Sequence, residues 1–147
     1  MISEDEARVE LWPVGYEFGA TGPGGDWDAN WLVIHGSVRT STGEEWAFED
    51  PCLTTWEADE LGAWLRAAAD GDAPEGLLTF TEPNLGFSIA RNEEPLILRV
   101  HLSLESLAAA RRPEDLYAYS VPLTLRRQDL LAAARTWHAA LASFPAR

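Results

Sequence analysis

The sequence predicts an α+β fold: an antiparallel β-sheet of about six to seven hairpin-connected strands, with two main helices packed on one face. Three observations predict it. Segments in which apolar and polar residues alternate recur along the chain, separated by short turns rich in Gly, Pro, Asn and Asp. Two longer stretches repeat apolar residues near every 3.6 positions. These helical stretches are not interleaved between every strand, as a doubly wound parallel sheet would require.

The elements follow in order. Val9, Leu11 and Val14 open a first strand that Tyr16 and Phe18 continue. Gly19 to Asp26 is a loop by composition, with four glycines and a proline. Asn30 to Arg39 is rich in β-branched and aromatic residues and predicts a strand. Ser41-Thr42-Gly43 turns the chain into Glu44–Asp50, where Trp46 and Phe48 share one face and Glu45, Ala47 and Glu49 the other. Asp50-Pro51 is expected to end that strand. Thr54 and Glu57 form the S/T-x-x-E pattern that caps a helix start. Trp56, Leu61, Trp64, Leu65 and Ala68 then make an apolar stripe, and Asp70-Gly71 closes the helix.

The second half begins with a short strand over Gly76–Thr81 and a turn at Glu82-Pro83-Asn84. Leu85, Phe87 and Ile89 alternate in one strand, and Leu96, Leu98, Val100 and Leu102 in the next, with Glu93-Glu94-Pro95 turning between them. Ser106 to Asp115 is a loop or short helical turn, and Tyr117–Leu123 a last strand. A final helix covers Arg126–Phe144, with Thr124 as its expected cap, Leu130, Ala134, Trp137, Leu141 and Phe144 on its stripe, and Pro145 as its stop.

A chain of 147 residues with 46% hydrophobic residues and seven tryptophans can bury a real core, and it has the size of one domain spanning 1–147. Cys52 is the lone cysteine and cannot form an internal disulfide, which favours a reducing compartment. The acidic N-terminus MISEDEARVE lacks the basic region of a signal peptide, and no run reaches the ~18–20 apolar residues of a membrane helix. A cytoplasmic location is expected.

Charge narrows the partners. The net charge is −13, from 24 acidic and 11 basic residues, and every basic residue is arginine. Residues 1–75 hold 17 acids and 3 arginines, a net of −14; residues 76–147 hold 7 acids and 8 arginines, a net of +1. Such a chain repels nucleic-acid phosphates and anionic lipid, so neither is an expected partner, whereas a basic protein would be attracted.

Catalytic patterns are mostly missing. The sequence has no G-x-S-x-G, P-loop or G-x-G-x-x-G segment, so no catalytic residue, cofactor or metal is assigned. Asp26, Asp28 and Asn30 imitate the start of a calcium loop, but Trp31 stands where the turn glycine belongs and Ser37 where the closing glutamate belongs. A small enzyme would have to use Cys52 with His35 or His101, the two histidines that fall inside strands. Trp27, between Asp26 and Asp28, fits either a protein-binding hot spot or an aromatic folded back over the sheet edge.

The segments DWDANWL (Asp26–Leu32), DPCLTTWEADELGAWL (Asp50–Leu65), FTEPNLGF (Phe80–Phe87) and FPAR (Phe144–Arg147) resemble, in order and over nearly the whole chain, the recurring pattern of WapI-type immunity proteins. The resemblance implies a non-catalytic bacterial protein that neutralises the toxic C-terminal domain of a secreted, contact-dependent toxin. It carries no enzymatic site over. The expected function is therefore an intracellular protein-binding domain. Its acidic half would supply the contact through Asp26, Trp27, Asp28, Glu44, Glu45 and Glu49, against a basic toxin domain. The alternatives are the small enzyme using Cys52, His35 and His101, or an acidic protein that works as an oligomer; the chain itself could be a monomer or a homodimer.

Overall fold

The computed structural model describes residues 1–3, 5–20, 27–111 and 115–147. Seven strands and two helices follow one another as β1 (Arg8–Tyr16), β2 (Trp31–Arg39), β3 (Glu45–Thr54), α1 (Thr55–Asp70), β4 (Leu78–Thr79), β5 (Leu85–Arg91), β6 (Leu96–Leu102), β7 (Tyr119–Leu125) and α2 (Arg127–Leu141). All pairings are antiparallel, so the α+β class holds. The strands divide into two sheets rather than one: β1-β2-β3 and β4-β5-β6-β7. Each is a meander of consecutive strands. The division falls where α1 is inserted, because a 16-residue helix carries the chain away from the edge of the first sheet.

Alternation builds both sheets. In the first, Val9, Leu32, Ile34, Val38 and Phe48 turn inward; Glu10, Trp12, His35, Ser37, Ala47 and Glu49 face out. Gly36 sits under the Phe48 ring, whose Cζ lies 2.2 Å from where a Cβ would stand, so only glycine fits there. In the second sheet Leu85, Phe87, Leu96, Leu98, Val100, Leu102, Val121, Leu123 and Leu125 are all buried. The buried residues of both sheets and both helices form one continuous cluster. The helices lock together where Trp137 Nε1 of α2 donates to the Ala58 carbonyl of α1 at 2.8 Å.

Three expectations are corrected. The third strand runs through Pro51 to Thr54 instead of stopping at Asp50. Pro51 is tolerated because β3 is an edge strand with a bulge opposite Leu32 and Val33, and Cys52 and Leu53 carry the buried pattern onward. Thr124 is not the cap of α2. It lies inside β7, opposite Ile97, and Arg126 occupies the cap position without a side-chain hydrogen bond. Trp56 is not core but 45% exposed. At about 100° per residue it stands about 140° round the helix from Leu61, whereas Ala58, Leu61, Trp64, Leu65 and Ala68 share the buried side.

The start of α1 matches the sequence closely. The Thr54 hydroxyl accepts from Glu57 N at 3.2 Å, and Glu57 Oε2 accepts from Thr54 N at 2.8 Å. Glu57 also accepts from Thr81 N at 2.7 Å, tying the helix start to the turn before β5.

Candidate partner-binding surface

Two asparagines hold together the segments flanking this end of the molecule. Asn30 is fully buried. Its Nδ2 donates to the Arg147 carbonyl at 2.9 Å, and its Oδ1 accepts from Arg147 N and from the Thr55 hydroxyl, each at 2.9 Å. It therefore joins the approach to β2, the first turn of α1 and the end of the chain. Asn84, 1% exposed, donates through Nδ2 to Asp50 at 3.0 Å and to Glu105 at 3.2 Å, bridging the two sheets. Its carbonyl accepts from Ser103 N at 3.0 Å.

Around Asn84 opens a cleft of about 360 Å³, lined by Glu17, Trp31, Asp50, Pro51, Glu82 and Glu105 among others. Four carboxylates thus converge on one opening. Their electrostatics record the crowding. Burial, then Glu105 and Glu82, push the Asp50 carboxyl above its ordinary range, against the opposing pull of the Asn84 hydrogen bond. Local desolvation, then Asp50, Asp28 and Glu82, push Glu17 in the same direction. None of the four ion pairs among the described residues involves any of these groups. Arg127 and Arg147, from the basic half, are spent elsewhere. Arg127 donates to the Ala69 and Asn92 carbonyls, the former in the last turn of α1, and Arg147 lies over the Tyr16 ring at 3.5 Å.

The residues expected from sequence fall in three places. Asp26 lies outside the described residues. Trp27 and Asp28 precede Trp31, at one end of β2; Trp27 is 51% exposed and its ring lies 5.5 Å from that of Trp56. Glu44 and Glu45 lie at the other end, beside Arg39, and the roughly 3.3 Å rise at each step between the first and last of the nine residues of β2 puts about 26 Å between the two ends. Glu44 is held by Arg111, with Nη2 to Oε2 at 2.6 Å, and that hydrogen bond draws its carboxyl below the ordinary range. Glu45 pairs with Arg39 at 3.5 Å and Glu49 with His35 at 3.2 Å. Glu17, Asp50, Glu82 and Glu105 were missed because Asp50-Pro51 reads as the end of a strand and Glu82-Pro83-Asn84 as a turn, and Glu17 and Glu105 stand in no motif.

The residues of the alternative enzyme do not meet in one cleft. His35 is in the first sheet, stacked on Trp12 with ring centroids 4.4 Å apart. His101 is in the second, held by Ser88 Oγ at 2.8 Å and the Tyr117 carbonyl at 2.9 Å. Cys52 is fully buried, and burial followed by nearby carboxylates pushes its thiol far up, away from the thiolate a nucleophile needs. Among the described residues no group of three or more His, Cys, Asp or Glu side chains is placed to hold a metal ion. Nor is any helix there long and apolar enough to cross a membrane.

The model of the immunity protein WapI-like family matches residues 1–145. The chain belongs to the WapI-like immunity protein family. No curated protein and no solved structure matches it. Within this WapI-like chain the recurrent segments now have physical roles. Asn30 of DWDANWL, Thr55 of the long helical segment and Arg147 of FPAR are one hydrogen-bonded knot. Asp50 of that same helical segment and Asn84 of FTEPNLGF bridge the sheets beside the carboxylate cleft.

Proposed function

We propose that this chain is the immunity partner of a bacterial toxin domain: a non-catalytic cytoplasmic protein that covers a basic surface of the toxin with its own acidic one. The observation that carries the reading is the convergence of Glu17, Asp50, Glu82 and Glu105, without an arginine ion pair among the described residues, on one cleft of a WapI-like chain. Carboxylates held close at a cost to their own ionisation gain when a cationic surface arrives, so charge is stored for association. The acidic half, with Asp26, Trp27, Asp28, Glu44, Glu45 and Glu49, provides the remaining candidate contacts. Of these, Glu44 and Glu45 already have arginine partners and would be the weaker contributors.

Co-expression with a candidate toxin domain, sought among the open reading frames beside the gene, tests the proposal. The parent chain should restore growth of cells making the toxin. Charge reversal in the cleft, Glu82→Lys with Glu105→Lys, should slow association by about tenfold or more and flatten the loss that added salt causes in the parent. Binding that ignores both charge reversal and salt would remove the electrostatic account.

A further inference from the structure

The solvent side of α1 carries an aromatic platform that the fold does not use. Trp27 and Trp56 are 51% and 45% exposed, their ring centroids 5.5 Å apart and their planes tilted by 31°. Each stands beside carboxylates. Asp28 follows Trp27, and Asp59 and Glu60 lie three and four residues beyond Trp56, on the same exposed side of the helix. None of these three acids takes part in an ion pair among the described residues. The same side continues past Ala63 into an apolar groove of about 440 Å³, lined by Ala67, Pro74 and the exposed Leu77. Apolar faces flanked by negative charge suit one kind of occupant: a cation with a flat, weakly hydrated surface.

We propose that an arginine of the partner protein docks on this face, its guanidinium lying over the Trp27 and Trp56 indoles and its N–H groups donating to Asp28, Asp59 or Glu60. A guanidinium fits better than an ammonium because it is planar, stacks on aromatic rings and offers several donors to carboxylates at once, whereas lysine presents a compact and strongly hydrated point charge. The inference deepens the immunity reading, since it names the partner group and a second contact next to the carboxylate cleft. The two regions are joined, as Glu57 of the first turn of α1 holds Thr81, the neighbour of Glu82.

The test uses blocked hexa-arginine and hexalysine peptides as probes, with binding followed by calorimetry and by indole fluorescence. Hexa-arginine should bind several-fold more tightly than hexalysine. The double variant Trp27→Ala, Trp56→Ala should weaken hexa-arginine binding by about three- to thirtyfold, the usual range for a cation over an aromatic face. It should also bring the two peptides to similar affinity. Both indoles are exposed, so the variant should keep a cooperative urea-unfolding transition like the parent's. Glu93→Gln with Glu94→Gln removes two carboxylates from the β5–β6 turn and should change binding by less than about twofold.

Equal binding of the two peptides by the parent, or unchanged hexa-arginine binding by the tryptophan variant, would overturn the proposal. So would a parent that sediments as a dimer and becomes monomeric on Trp56→Ala, because a second copy would then be the occupant. The outcomes separate from those of the immunity reading. A tryptophan variant that still neutralises the toxin as the parent does would sink the platform alone. A parent that fails to neutralise the toxin yet needs its indoles for arginine would sink the immunity reading alone.

Discussion

Replacing Asp50 by asparagine should make the protein more stable and its partner binding weaker. Asp50 and Glu105 both accept from Asn84 Nδ2, at 3.0 and 3.2 Å, so their oxygens are no more than about 6 Å apart. At that distance two like charges repel by about 0.7 kcal/mol in water and about 2.8 kcal/mol at the effective dielectric of a protein surface. Asp50 is only half-buried, and physiological salt has a Debye length of about 8 Å, so about 0.5–1 kcal/mol survives screening.

The sign follows from linkage. The Asp50 carboxyl is raised in the folded chain, so the native state binds its proton more tightly than the unfolded state does. The penalty is therefore fully present at pH 7 and disappears below about pH 4, the ordinary aspartate range. Asparagine keeps an acceptor for Asn84 and removes the charge. Urea unfolding of both proteins from pH 7 to pH 4 measures the difference directly. The variant should lead by about 0.5–1 kcal/mol at pH 7, lose its lead as the pH falls, and bind a cationic partner several-fold less tightly. A parent more stable than the variant at pH 7, or a difference that does not change with pH, would refute the reasoning.

Other perturbations test the frame. Asn30→Ala removes the side-chain hydrogen bonds to Arg147 and Thr55 at a fully buried position and should cost about 2–4 kcal/mol in urea unfolding, with the end of the chain released to proteolysis. Thr54→Ala removes the hydroxyl half of the capping box, leaving the backbone N–H that donates to Glu57, and should cost about 1–2 kcal/mol in the same measurement. Gly36→Ala drives a methyl group into the Phe48 ring and should cost about 1–3 kcal/mol, read as a lower thermal midpoint. Cys52 should resist a thiol reagent such as Ellman's in the folded protein and react at once in denaturant; rapid labelling of the native chain would show that its burial is wrong.

The sequence by itself determined the class of fold, the order of its elements and the cap of the first helix. Those features depend on neighbours a few residues apart: alternation sets a strand face, and Thr54 and Glu57 close their box within three residues. Tertiary structure alone decided the rest. Asn84 meets Asp50 and Glu105 across 34 and 21 residues of chain, through the packing of one sheet against the other. Trp56 lies on the solvent side because the Ala58, Leu61 and Leu65 side of the helix is the one the core takes. Glu44 and Trp27 are separated by the length of β2 although both lie in the acidic half, since a strand converts sequence distance into physical distance that composition does not register.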